Sequence, residues 1–234
     1  MRIMMSLQDD APVAAISAYL ANERVNVLGF EQLADEAATI SEHGDAPAVI
    51  ERQGSTLRAL WIVDVPSRAA AVELAKNAPG AQGTLEVRES YTPQDFGAPP
   101  DPSPPAPAPP PVRKPDTHRY VAFIRTHNED GAPRPTPESM ARMDTYCAPL
   151  VESNTMIGGE GLKPSATGTR VRRSAAQRFV LDGPFAETKE LVGGYMIVQV
   201  RTIDEAVDAI RPWLRIHREG QRVGQATIEV RRLL

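Results

Sequence analysis

This sequence has few of the residues from which catalytic and structural sites are commonly assembled. Cysteine occurs once, at Cys147, and histidine four times. One thiol cannot close an internal disulfide, and no Cys/His cluster has metal-ligand spacing. A disulfide scaffold and a zinc site are thereby excluded, and a reducing, cytoplasmic setting is expected. Long apolar runs are missing too: nothing approaches the roughly eighteen residues that a membrane span needs. At the start of the chain, Asp9, Asp10 and Pro12 interrupt the apolar residues that a signal peptide would require. There is no glycine-rich phosphate loop, no Ser/His/Asp arrangement and no metal motif. That speaks against hydrolase, kinase and dehydrogenase chemistry and leads to the expectation of neither metal nor cofactor.

An excess of one charge sign is also lacking, the net charge being −4. Residues 1–98 carry 7 Lys+Arg against 14 Asp+Glu, and residues 116–234 carry 17 against 15. An acidic first half could attract a nearly neutral second half, but neither is built for nucleic acid. Arg211, Arg215, Arg218 and Arg222 recur at near-helical spacing, the pattern of a solvated helix face.

Proline, by contrast, is abundant and concentrated. Residues 99–115, "PPDPSPPAPAPPPVRKP", hold ten prolines in seventeen positions. Proline fixes φ and removes a backbone donor, so this stretch can be neither helix interior nor central strand. It reads as an extended polyproline strap, spanning roughly 50 Å at about 3.1 Å per residue. A proline-rich ligand for a partner domain is the other reading of the same composition. The strap divides the chain into a domain over residues 1–95, a linker over 96–117 and a domain over 118–234.

The two halves repeat one another. "ALWIVDVPSRAAAVELAKNAPGAQGTLEVRESY" reads against "GYMIVQVRTIDEAVDAIRPWLRIHREGQRVGQATIEVRRLL", each a strand, a Ser or Thr cap, an amphipathic helix and a last strand containing "EVR". Upstream, "VLGFEQL" matches "MIGGEGL", and each half opens on an apolar strand, "RIMMSL" or "RYVAFIR". Helices are predicted from Pro12 to about Asn26 and from Pro137 to about Ser153, with Thr136 before Pro137 a good start signal. Thr202 opens another helix, which Pro212 should kink or shorten. The order strand, helix, strands, helix, strand is that of a ferredoxin-like α+β sandwich, whose sheet is covered by helices on one face only. Two such sheets are expected to pack face to face as an internal pseudo-dimer, with exchange between two chains the alternative and a homodimer possible.

The most specific phrase is "LDGPFAETKELVGGY", residues 181–195. Asp182-Gly183-Pro184 reads as a forced turn, with Phe185 plugging into the core and Gly193 and Gly194 permitting close backbone approach. Glu187, Lys189 and Glu190 then crowd together, and a carboxylate beside an ammonium is how a protein tunes a general acid or base. In one reading Asp182 or Glu187 transfers protons, Lys189 is the charge partner, and Tyr195 or Tyr146 is a polar wall. In the other, Asp182 caps its own turn and Glu187 and Lys189 solvate a loop. Glu160 lies between glycines in "GGEG", and its counterpart Glu31 persists in the first half, which suggests a structural hydrogen bond. The first half replaces the motif by the short connection Gly54-Ser55-Thr56. The fold therefore does not require it.

"EGLKPSATGTRVR", "LDGPFAETKELVGGYMIVQV", "DEAVDAI" and "IEVR" together resemble the DGPF branch of the YCII-related family, over essentially all of residues 118–234. Residues 1–91 resemble it in outline. The resemblance implies a ferredoxin-like fold pairing into a dimeric α/β barrel, and cofactor-free acid–base chemistry on small cyclic molecules. A His–Asp pair in a pocket is part of the family pattern, and His127 with Asp130 is the candidate for it here. The expected function is a cofactor-independent elimination, cyclisation or isomerisation of a small molecule in a pocket between the two domains. Asp182, Glu187, Lys189 and His127 would be catalytic there, and Tyr146, Glu160, Phe185 and Tyr195 would bind substrate. A non-catalytic ligand-binding or regulatory accessory protein, and a scaffold spaced by the strap, are the alternatives.

Overall fold

The computed structural model describes residues 1–9, 12–41, 49–80, 82–99, 112–126, 136–174, 177–185, 191–221 and 226–234. The first half of the sequence gives β1 (Arg2–Gln8), α1 (Val13–Asn22), β2 (Asn26–Ser41), β3 (Val49–Glu51), β4 (Leu57–Asp64), α2 (Arg68–Asn77) and β5 (Gly83–Glu89). The second gives β6 (His118–Thr126), α3 (Pro137–Glu152), β7 (Met156–Gly161), β8 (Thr169–Arg173), β9 (Arg178–Asp182), β10 (Leu191–Val200), α4 (Ile203–Gln221) and β11 (Ala226–Leu233). The protein is α+β, with antiparallel pairing between its strands.

The chain forms two compact units, and neither is a simple half of the sequence. The first comprises Met1–Gln32, Thr56–Pro110 and Ser165–Pro184; the second comprises Leu33–Ser55, Pro111–Pro164 and Phe185–Leu234. A division at the proline-rich segment is thus modified by exchange. The first unit's sheet runs β2, β4, β1, β5, β8, β9, so a hairpin from the second half of the sequence is paired onto β5. The second unit's sheet runs β7, β10, β6, β11, then the last residues of β2 and β3, so a hairpin from the first half is paired onto β11. The physical gain is clear: without the donated hairpins, β5 and β11 would each end a sheet with unpaired N–H and C=O groups.

Within each unit alternate strand residues bury themselves under two helices. In the first, Ile3, Met5, Leu7, Ala59, Trp61, Val63, Leu85 and Val87 pack with Ile16 and Leu20 of α1 and Ala71 and Ala75 of α2. In the second, Tyr120, Ala122, Ile124, Met196, Val198, Ile228 and Val230 pack with Ala206, Val207, Ile210, Trp213 and Leu214 of α4. The helices start where local chemistry puts them. Ser67 Oγ accepts from the Ala70 amide at 3.1 Å, Thr136 Oγ1 from Ser139 at 3.1 Å, and Thr202 Oγ1 from Glu205 at 3.2 Å.

Pro212 does not shorten its helix: α4 continues through it to Gln221. Proline in a helix interior costs about 3 kcal/mol. Trp213 and Leu214, 4% and 0% exposed, follow it directly, and burial of such side chains recovers about 1.5–3 kcal/mol each. Core packing outweighs the lost hydrogen bond.

Candidate functional site

The Asp182-Gly183-Pro184 turn follows the open end of the first unit's last hairpin. Asp182 ends β9 opposite Thr169, and its Oδ1 accepts from Thr169 Oγ1 at 2.6 Å. Gly183 donates its amide to the Gly168 carbonyl at 3.0 Å, and Gly168 donates to Ser165 at 2.7 Å across a short 3-10 turn. A Cβ on Gly183 would lie 1.9 Å from the Ser165 carbonyl oxygen, so no larger residue fits without moving backbone. A Cβ on Gly168 would lie 2.5 Å from Arg88 Cδ. The "SATG" and "DGP" phrases are therefore two sides of one locked turn, with a cis Gly183–Pro184 peptide bond. Asp182 is exposed and Phe185 is buried. His127, Asp130, Glu187 and Lys189 lie outside the described residues.

Glu160 and Tyr195 are brought together in the second unit. The two stand directly opposite in the β7–β10 pair, Tyr195 stands opposite Phe123 in the β10–β6 pair, and Phe123 opposite Glu229 in the β6–β11 pair. Opposite residues of antiparallel strands share a face, with Cβ atoms about 4.5–5.5 Å apart. This row lies on the face away from the helices, because its strand neighbours Ala122, Met196, Ile228 and Val230 form the helix-side core. Tyr195, Phe123 and Glu229 are buried, while Glu160 on strand β7 is half-buried. Glycine makes the β7–β10 edge close: a Cβ on Gly159 or Gly194 would come within 2.8 Å of the Tyr195 or Glu160 carbonyl oxygen.

Beside the row lies a buried charge cluster. Glu229 is gripped by Arg125, whose Nε donates at 3.1 Å and whose Nη2 forms an ion pair with it. Arg231 Nη1 donates at 3.1 Å and the Ser55 amide at 2.9 Å. Arg231 also donates to the Ala34 carbonyl from Nε at 3.0 Å and Nη2 at 2.6 Å. Burial alone pushes the Glu229 carboxyl up, but the Arg125 charge, the Ser55 amide and the Arg231 and Arg125 hydrogen bonds outweigh it and hold it below the usual carboxylate range.

The first unit carries the same frame. Glu31 stands opposite Leu60, Leu60 opposite Ser6, Ser6 opposite Glu86, and Glu86 opposite Arg170. Glu86 is held by Arg88 Nη1 at 2.9 Å and Arg170 Nε at 2.8 Å, all three side chains being buried. Sequence reasoning did not mark either cluster as a site, although the duplicated "EVR" was its visible signal: Glu and Arg two apart on a strand share a face.

Two other candidates sit among helices. Tyr146 packs against the α4-side core and donates its hydroxyl to the Ala209 carbonyl at 2.7 Å, and burial, then Cys147, raises its phenol. Cys147 is half-buried, and burial followed by Asp144 pushes its thiol up, the reverse of what a nucleophile needs. An open depression of about 480 Å³ in the first unit, lined by Tyr19, Glu23, Asp64 and Glu73 among others, contains none of the sequence-derived candidates. Among the described residues, no three His, Cys, Asp or Glu side chains are grouped to hold a metal ion, and no helix is long and apolar enough to cross a membrane.

With this geometry in view, the sequence can be set against known families. Residues 119–213, from β6 into α4, match the YCII-related domain family. Fifty residues, 21% of this chain, are 42% identical to an uncharacterized protein of Rhizobium meliloti (strain 1021), and the match spans 40% of that protein's length. A solved structure of an anthrone oxidase-like protein aligns over 100% of this chain and 91% of its own, at 10% identity and a TM-score of 0.36.

Proposed function

We propose that the protein is a cofactor-independent small-molecule enzyme that moves protons on the non-helical face of the second unit's sheet. The observation that carries this reading is the Glu160–Tyr195 pair beside Phe123 and the buried Arg125–Glu229–Arg231 cluster. Glu160, the half-buried end of the row, takes a proton from a carbon next to a carbonyl. Tyr195 gives its hydroxyl proton to the departing group as the C–X bond breaks and the C=C bond forms. Phe123, buried beside Tyr195, backs the phenol, and the Arg125 and Arg231 guanidiniums favour the anion that develops. Asp182, Glu187, Lys189 and His127 are the further acid–base candidates, and Phe185 is an anchor for the motif. Pairing of the two ferredoxin-like units into an α/β barrel belongs to the same proposal.

The test is to incubate the purified protein with a small-molecule extract of its host cells and follow compounds by mass spectrometry. A compound consumed by the wild type, but not by Glu160→Gln or Tyr195→Phe, is the expected result. Equal consumption by all three would overturn the assignment. Saturable binding without chemical change would favour the accessory, ligand-binding reading.

A further inference from the structure

The open edge of the first unit's sheet has a sequence that fits itself. Strand β9, "RFVLD", pairs with β8 and ends the sheet order among the described residues. All five of its residues are exposed, including Phe179 at 53%, Val180 at 46% and Leu181 at 56%. An exposed apolar edge strand is a template for another strand, and proteins ordinarily blunt it with charge, proline or a bulge. Here proline and bulge are lacking, and the only charges stand at its two ends.

The ladder fixes which groups face outward. The β8–β9 register pairs Thr169 with Asp182 and Arg173 with Arg178. On either side of it, Gly183 donates to Gly168 and Ser174 to Gln177, so hydrogen-bonded and non-hydrogen-bonded pairs alternate from those ends. By that alternation Phe179 and Leu181 bond to β8, while Arg178, Val180 and Asp182 turn their N–H and C=O groups to the open edge. A second β9 running antiparallel, with the two-fold axis at Val180, meets those groups in phase. Val180 pairs with Val180 of the second copy and Arg178 with its Asp182. On the other face Phe179 lies against its Leu181. Moving the axis to the next peptide would set outward groups against inward ones, so the pairing is defined by the backbone as well as by the side chains. Within its own hairpin Arg178 faces Arg173, a like charge, and a carboxylate from the second copy offsets that repulsion.

We propose that β9 is a self-complementary docking edge through which two copies of this chain associate, isologously, by antiparallel strand pairing centred on Val180. The interface is independent of the proton-transfer site, which lies in the other unit.

Sedimentation velocity over a concentration series tests it on the full chain. Wild type should show a reversible monomer–dimer equilibrium. Arg178→Asp sets two carboxylates opposite each other at both ends of the pair and should weaken the dimer at least about tenfold. The double variant R178D/D182R restores opposite charges and should recover it. Val180→Pro, which removes the outward N–H at the centre, should abolish it. Thr169→Val removes the partner of Asp182 in its own hairpin and should leave the dimer intact, which separates docking from folding of the turn. A wild type that stays monomeric throughout, or a dimer indifferent to both Arg178→Asp and Val180→Pro, overturns the proposal.

Discussion

In the second unit the sheet face away from the helices reads Glu160, Tyr195, Phe123, Glu229; in the first, the same four positions read Glu31, Leu60, Ser6, Glu86. The outer members are glutamates in both, and the inner members are not alike. Glu229 and Glu86 are each locked by two arginines, although the second arginine comes from β6 in one unit and from the donated β8 in the other. What recurs despite such different supply is a requirement of the fold: one buried carboxylate held between two guanidiniums. What does not recur, the phenol and the phenyl ring, is free to serve something other than folding. Glu160 belongs to both categories, since it has a counterpart in Glu31 but only in the second unit faces a tyrosine.

The comparison can be pressed hardest through the clusters. Replacing Glu229 by Leu takes the buried carboxylate from Arg125 and Arg231 and should cost about 3–5 kcal/mol, and Glu86→Leu should do the same to Arg88 and Arg170. Urea unfolding of the two variants measures this, and a much smaller loss for one would mean that the clusters are not equivalent. Gly183→Ala, which drives a methyl group into the Ser165 carbonyl, should cost about 2–3 kcal/mol in the same assay.

A pH series sharpens the picture for Glu229. Its folded carboxyl titrates below the unfolded reference of about 4.3. The stability it contributes is fully present above that reference and is lost as pH falls through the lower, folded value. Glu229→Gln should therefore flatten the acid limb of the stability curve, and an unchanged limb would contradict the depressed titration. Tyr146→Phe, removing the hydrogen bond to Ala209, should cost about 1 kcal/mol by thermal or urea unfolding.

Much of the fold was legible. Alternation in "YMIVQV" and "TIEV" marks strands, although both faces are buried and not one as the alternation implied, and Ser67, Thr136 and Thr202 announce their helices. The hairpin exchange was not legible, because a period of two says which face a residue takes but not which sheet edge its strand joins. The motif's turn was readable to the level of Asp182 and Gly183, whereas its tie to "SATG" depends on a contact between segments that no local rule describes. The buried arginines escaped notice because charged residues are read as solvated until a carboxylate is seen at the same height on the same face. The shortening expected at Pro212 does not occur, because burial of Trp213 and Leu214 offsets the local penalty.

The most direct test of the central claim, that chemistry resides in the unit with the tyrosine, is to exchange the one residue that distinguishes the carboxylate pairs. Tyr195→Leu gives the second unit the side chain of the first, and Leu60→Tyr does the reverse. After incubation with host small-molecule extract, native mass spectrometry should find a bound compound on wild type and on Leu60→Tyr, and none on Tyr195→Leu. Equal retention by Tyr195→Leu would contradict the account.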